Sequence, residues 1–198
     1  MNKIKEILIG TNNIGKYKEI CSLLPKSVIK HSLKKINIKS PKETGKTFEE
    51  NSFIKASYFS KKTKLICISD DSGLEIDLLG GSPGIFSARW GGKKNNFDLA
   101  IHKIFKKMES LKKNWDKENK ARFVCSMTIF FPNGKNFSSK GVVSGHISKI
   151  KKGKKGFGYD PIFIPQGYVK TFGEMRPEDK MLIDHRNKAF LKLKSFFY

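Results

Sequence analysis

The sequence predicts an α/β fold with a mixed sheet flanked by helices. Three observations carry that expectation. Apolar runs of strand length alternate with segments of helical period, in the order βα, α, ββ, α, ββ, α. Residues 97–111 place Phe97, Ile101, Ile104, Phe105, Met108 and Leu111 on one 3.6-residue stripe, which marks a surface helix with one buried face. Residues 121–131 alternate, with Phe123, Cys125, Met127 and Ile129 on one side, and Pro132-Asn133-Gly134 turns the chain back into 137–150 as an antiparallel ribbon.

Taken in order, residues 4–9 form a first strand that runs into Gly10-Thr11-Asn12-Asn13-Ile14-Gly15-Lys16. A helix follows, with Ile20, Leu23 and Leu24 on one face and Pro25 ending it. Strand, Gly/Asn turn and a helix with Lys in its first turn make a phosphate cradle, because helix N–H groups and an ammonium face one point. The spacing meets the first seven positions of a P-loop, but Tyr17 stands where that loop needs Ser or Thr, so an ordinary P-loop is excluded and a plain βα loop stays open. Residues 26–47 read as irregular and basic. Thr47 and Glu50 make a capping box for a helix reaching about Lys62, with Phe53, Ile54, Ala56 and Phe59 as apolar positions. Glu43, just ahead of it, reads alone as a solvated loop residue.

Leu65 to Ile68 reads as a buried strand that ends in the turn Ser69-Asp70-Asp71-Ser72-Gly73, with Leu74, Ile76 and Leu78 alternating behind it as the return strand of a hairpin. Adjacent carboxylates repel unless a cation or donors lie between them, so Asp70-Asp71 is either a solvated turn or a site for a hard divalent ion with oxygen ligands. If extended geometry persists there, the two side chains point to opposite faces and one of them meets the ion. Residues 80–84 form a compact loop and 149–155 a solvated charge run. Gly156-Phe157-Gly158-Tyr159-Asp160-Pro161 is open between a tight turn with a buried Phe and an aromatic platform for a base. Pro177 starts a short helix containing Lys180, and Asp184 caps a last helix whose first turn holds His185 and Arg186, where cations are disfavoured by the helix dipole and therefore serve another purpose.

Composition narrows the function. The 198 residues are 38% hydrophobic and can bury a real core as one domain. No apolar run reaches the ~20 residues of a membrane helix, and the N-terminus lacks a signal-peptide pattern, so no membrane partner and a cytoplasmic protein are expected. Cys21, Cys67 and Cys125 are widely spaced and predict free core thiols, not a disulfide or zinc framework. Net charge is +22, yet 36 of the 40 basic residues are Lys, scattered along the chain, and only four are Arg. Dedicated nucleic-acid surfaces favour Arg, so only nonspecific, salt-sensitive polyanion binding is expected.

TNNIGK, KETGKTFEENSFIKA, SDDSGLEIDLLGGSPGIFSAR, GFGYDPIF and EDKMLIDHR, in this order and spacing, resemble the inosine/xanthosine triphosphate pyrophosphatase family over essentially the whole chain. The resemblance implies a two-lobed α/β fold around an elongated mixed sheet, with a nucleotide cleft between the lobes, usually as a homodimer. It implies Mg²⁺-dependent cleavage of ITP, dITP or XTP to the monophosphate and pyrophosphate. Residue by residue, it implies that Thr11, Asn12, Asn13 and Lys16, with Ile14 and Gly15 in the same turn, hold the phosphates. Asp71 binds the metal and serves as base for water, Glu43 is a second metal ligand, and Ser72 contacts substrate. Phe157, Gly158, Tyr159 and Asp160 line the base and sugar pocket, while Lys180, His185 and Arg186 read the purine. Two positions depart from the family pattern: Asn12 stands in place of the usual Gly, and Asp184 in place of the usual Ser. The competing expectations are a related pyrophosphatase for modified pyrimidine nucleotides and a basic nucleic-acid-binding protein.

Overall fold

The computed structural model describes residues 3–92 and 96–198. Six strands pair in the order β2-β1-β3-β4-β5-β6: β1 Glu6–Ile9, β2 Ile29–Ser32, β3 Cys67–Ile76, β4 Lys120–Phe130, β5 Asn136–Ile147 and β6 Phe163–Pro165. β1 runs parallel to both β2 and β3, and β5 runs antiparallel to β6, so the sheet is mixed as expected. The helices are α1 Ile14–Leu23, α2 Leu33–Ile36, α3 Phe48–Thr63, α4 Phe97–Leu111, α5 Pro177–Ile183 and α6 His185–Leu191. Two compact units result. The first holds Met1–Asp71, Cys125–Gly141 and His185–Tyr198, and the second Ser72–Val124 and Val142–Asp184.

Each unit has its own core. The α4 stripe buries Ala100, Ile101, Ile104 and Met108 with Leu74, Ile76, Phe123, Val143, Phe163 and Phe172, and Phe97 and Phe105 pack against its edge. Phe123 meets Phe163 edge-on with ring centroids 4.7 Å apart, a favoured aromatic geometry. In the first unit Leu8, Leu33, Phe59 and Cys67 form a small cluster. All three cysteines are free, and burial pushes the Cys67 thiol up to about 12.

Several sequence expectations are corrected. β3 runs unbroken, so neither the turn at Ser69–Gly73 nor the hairpin forms. These residues stay extended because β3 lies between β1 and β4 and the polar side chains find partners there: Ser69 Oγ donates to the Gly10 carbonyl at 2.9 Å, and both aspartates meet cations. The return strand ends at Ile76, and Asp77–Leu79 is a 3₁₀ turn. Residues 26–47 are not wholly irregular, since β2 and α2 lie within them and β2 gains its order by pairing with β1. In α3 the buried face is Phe48, Asn51, Ser52, Lys55, Ala56, Phe59 and Ser60, while Phe53 is 40% exposed. That polar interior replaces the apolar stripe.

α6 docks on β5 through Gly141, where an added Cβ would collide with the His185 carbonyl and the Ala189 amide, and Ser139 Oγ donates to the Ala189 carbonyl at 2.9 Å. Gly141→Val is therefore expected to destabilise the protein by about 1–3 kcal/mol through overpacking against backbone. A fall in thermal midpoint measures it, and an unchanged midpoint contradicts the close approach.

Candidate functional site

The first unit gathers its charged side chains around β3, whose adjacent aspartates face opposite ways. On one face, Asp70 is fully buried. Its Oδ2 lies 3.3 Å from Lys16 Nζ and accepts from Arg186 Nη2 at 3.0 Å and Nε at 3.2 Å. Arg186, 1% exposed, also donates through Nη1 to Glu19 of α1. Burial opposes ionisation of Asp70, but the charges of Lys16, Arg186 and Lys55 outweigh it and hold the carboxyl well below the usual range. The unfavourable placement of Arg186 in the first turn of α6 is thus offset by two carboxylates.

On the other face, Asp71 Oδ1 lies 3.3 Å from Lys55 Nζ, which reaches Glu43 Oε1 at 2.5 Å. Asn51 Nδ2 donates to Asp71 Oδ2 at 3.3 Å, and Asn51 Oδ1 accepts from Gly45 N at 2.9 Å, so one amide orients both the carboxylate and the loop behind Glu43. Burial pushes the Asp71 carboxyl up. Lys55 and Lys16 pull it down, but Glu43 and Asp70 add repulsion, and the balance stays above the ordinary value. For Lys55, burial lowers the value, and Asp71 and Glu43 outweigh it to raise the ammonium.

Two carboxylates sharing one ammonium are an oxygen donor set with negative charge to spare. No group of three or more His, Cys, Asp or Glu side chains converges for a metal among the described residues. Glu43 and Asp71 therefore suit an ion that takes one or two protein carboxylates and fills its shell with water and phosphate oxygens, as Mg²⁺ does.

The loop after β1 leads into α1 through two side-chain turns. Asn13 caps α1, its Oδ1 accepting from Lys16 N at 3.1 Å, and Thr11 Oγ1 accepts from Asn13 N at 3.2 Å. Asn12, exposed, ties the loop to Ser40 Oγ at 2.9 Å. Ile14 and Gly15 begin the helix, where the first N–H groups lack intrahelical acceptors. Gly10 has no room for a side chain against Ser69, Cys67 and Phe59, which is how β1 comes so close to β3 before the loop opens.

The second unit holds the aromatic set. Asp160, 2% exposed, accepts from Phe157 N at 2.8 Å and pairs with Lys180 Nζ at 2.7 Å. That ammonium lies 5.0 Å from the ring centre of Phe157 and 5.4 Å from that of Phe172, within cation–π range. Gly156 and Gly158 take φ of +72° and +68°, as the tight frame requires. Tyr159 is buried, donates to the Ser87 carbonyl at 2.7 Å and keeps its proton, since burial drives its hydroxyl well up. Phe157 and Ser72 are half-buried, and His185 in the first unit is buried at 4% exposure.

The structure thus brings Lys16, Asp70 and Arg186 into one network and Glu43 and Asp71 into another, while Phe157, Tyr159, Asp160 and Lys180 form a third within their own unit. Sequence reasoning missed Glu19, Asn51 and Lys55. Their signal was present: Asn51 and Lys55 are four apart on the stripe of Phe48, Ala56 and Phe59, where periodicity calls for apolar residues.

The model of the Ham1 family matches residues 7–196. A dITP/XTP pyrophosphatase of Bacillus licheniformis is 42% identical over 193 residues, covering 96% of each chain. One from Bartonella quintana is 40% identical over 198 residues, covering 94% of this chain and 92% of the relative. Among solved structures, the Ham1 protein of Staphylococcus aureus superposes with a TM-score of 0.82 at 36% identity, covering 97% of both chains. A HAM1 protein from Coxiella burnetii gives a TM-score of 0.86 at 33% identity over 97% of this chain and 98% of its own.

Proposed function

This chain belongs to the Ham1 family, and we propose that it hydrolyses ITP, dITP and XTP to the monophosphate and pyrophosphate with the help of Mg²⁺. The observation that carries the reading is the division of labour on β3: Asp70 holds two cations, while Asp71 and Glu43 keep an oxygen donor pair. Water attacks the α-phosphorus, the bond from that phosphorus to the oxygen bridging the β-phosphate breaks, and pyrophosphate leaves. Asp71 accepts the proton of the attacking water. Lys16 and the first N–H groups of α1 bind phosphate oxygens, with Thr11, Asn12 and Asn13 fixing the loop. Lys55 orients Glu43 and Asp71. Glu43 and Asp71 would hold Mg²⁺, which would supply charge neutralisation at the phosphates.

We assign base recognition to Phe157, Lys180, His185 and Arg186. The half-exposed ring of Phe157 gives a stacking surface, and Lys180 beside it is a donor that suits a 6-oxo purine and faces a donor in adenine. A mispaired contact of that kind costs on the order of 1–3 kcal/mol. We expect a cytoplasmic homodimer with no dedicated nucleic-acid partner.

A panel of ITP, dITP, XTP, ATP, GTP and modified pyrimidine triphosphates, scored for product, tests this. Pyrophosphate release from the first three, little from ATP or GTP and none after chelation of divalent ions is the expected result. Orthophosphate as first product would overturn the cleavage position, and preference for a pyrimidine the substrate class.

A further inference from the structure

All three cationic donors around Asp70 crowd one oxygen. Lys16 Nζ, Arg186 Nη2 and Arg186 Nε lie 3.3, 3.0 and 3.2 Å from Oδ2. Oδ1 is buried with no hydrogen-bond partner among the described residues. Arg186 therefore grips the carboxylate at a single atom, although its fork matches both oxygens of a carboxylate in the stronger bidentate arrangement. The third donor of the fork, Nη1, goes to Glu19, which lies on α1 three residues beyond Lys16. Lys16 is 15% exposed and opens to solvent, whereas Arg186 is 1% exposed.

We propose that Asp70 is a positioning residue that couples the phosphate grip to Arg186. A phosphate tail that draws Lys16 off Oδ2 lets the carboxylate turn and present both oxygens to the guanidinium. Engagement of the tail thereby sets the arginine that the family resemblance assigns to purine reading. Two interactions that would be independent become one, and specificity for the base then depends on a residue that touches only phosphate. The inference rests on the reading of Lys16 as a phosphate ligand and deepens it.

The chain has four arginines, so its arginine Nε–Hε spectrum is small, and Arg186→Lys identifies the signal in question. Pyrophosphate is the probe, with its binding followed in parallel by calorimetry. In the native protein the Arg186 signal is expected to move in step with occupancy. In Lys16→Met it sits near the bound position from the start and no longer responds. Asp70→Asn abolishes the response and Asp70→Glu restores part of it. In turnover, Lys16→Met is expected to change the preference for ITP over GTP about fivefold, where a grip on phosphate alone lowers both rates equally.

Pyrophosphate binding without movement of the Arg186 signal overturns the proposal, as does absence of binding or a response intact in Lys16→Met. Should Asp70→Asn fail to fold, Lys16→Met decides, because its side chain is partly exposed. A native protein that shows the coupled signal yet releases no pyrophosphate from ITP refutes the substrate reading and leaves the coupling standing.

Discussion

Asp71→Asn is expected to lower ITP turnover by about 10²–10⁴-fold, the usual cost of removing a positioned general base, with ITP binding largely retained. The substitution keeps the shape and leaves Asn51, Lys55 and Glu43 in place, but an amide accepts no proton from water. The pH profile sharpens the test. Without metal, burial and the nearby Glu43 and Asp70 push the carboxyl up despite the pull of Lys55 and Lys16, and a bound divalent ion would pull it back down. It must be ionised to work, so kcat/KM falls as pH drops through its titration, and that limb is lost in the variant. Near-native turnover in Asp71→Asn would show that Asp71 is neither base nor principal ligand.

Arg186→Met is expected to cost about 3–5 kcal/mol of stability, because it strands a buried carboxylate that had been paired. At ~2–4 °C per kcal/mol for a chain of this size, scanning calorimetry would record a fall of about 10 °C. Adding Asp70→Asn to Arg186→Met is expected to recover part of the loss, since the uncompensated charge goes with it. The sign with pH follows. Asp70 has a depressed value in the folded state, so its contribution is present above the unfolded value and is lost as pH falls through the folded one. The native and Arg186→Met midpoints should therefore draw closer in strong acid. A variant as stable as the native protein at neutral pH would mean that Glu19 and Asp70 do not depend on the guanidinium.

Local patterns in the sequence were read correctly where one principle decided them. The stripe of α4, apart from Leu111, which is 62% exposed at the helix end, and the capping of α3 needed only neighbouring residues: Thr47 Oγ1 accepts from Glu50 N at 3.1 Å, and Glu50 Oε2 accepts from Lys46 N at 2.6 Å. The opposite facing of Asp70 and Asp71 followed from extended backbone. What could not be read was set by distant partners. Ser69 through Gly73 have every mark of a turn, and partners far away in sequence keep them extended: the flanking strands β1 and β4, the Gly10 carbonyl, Lys16, Lys55 and Arg186. β2 exists because β1 pairs with it. The buried side of α3 defied its expected pattern because it carries Asn51 and Lys55 to Asp71, and Ser52 to Thr128 Oγ1 at 2.8 Å.

The unbroken course of β3 gives an engineer two dials on neighbouring codons. On the proposed reading, a library confined to positions 43, 55 and 71 samples altered ion preference and reactivity, while 19, 70 and 186 stay untouched and keep their buried ion pairs. The converse library probes thermal tolerance together with base preference, because Asp70 and Arg186 carry both.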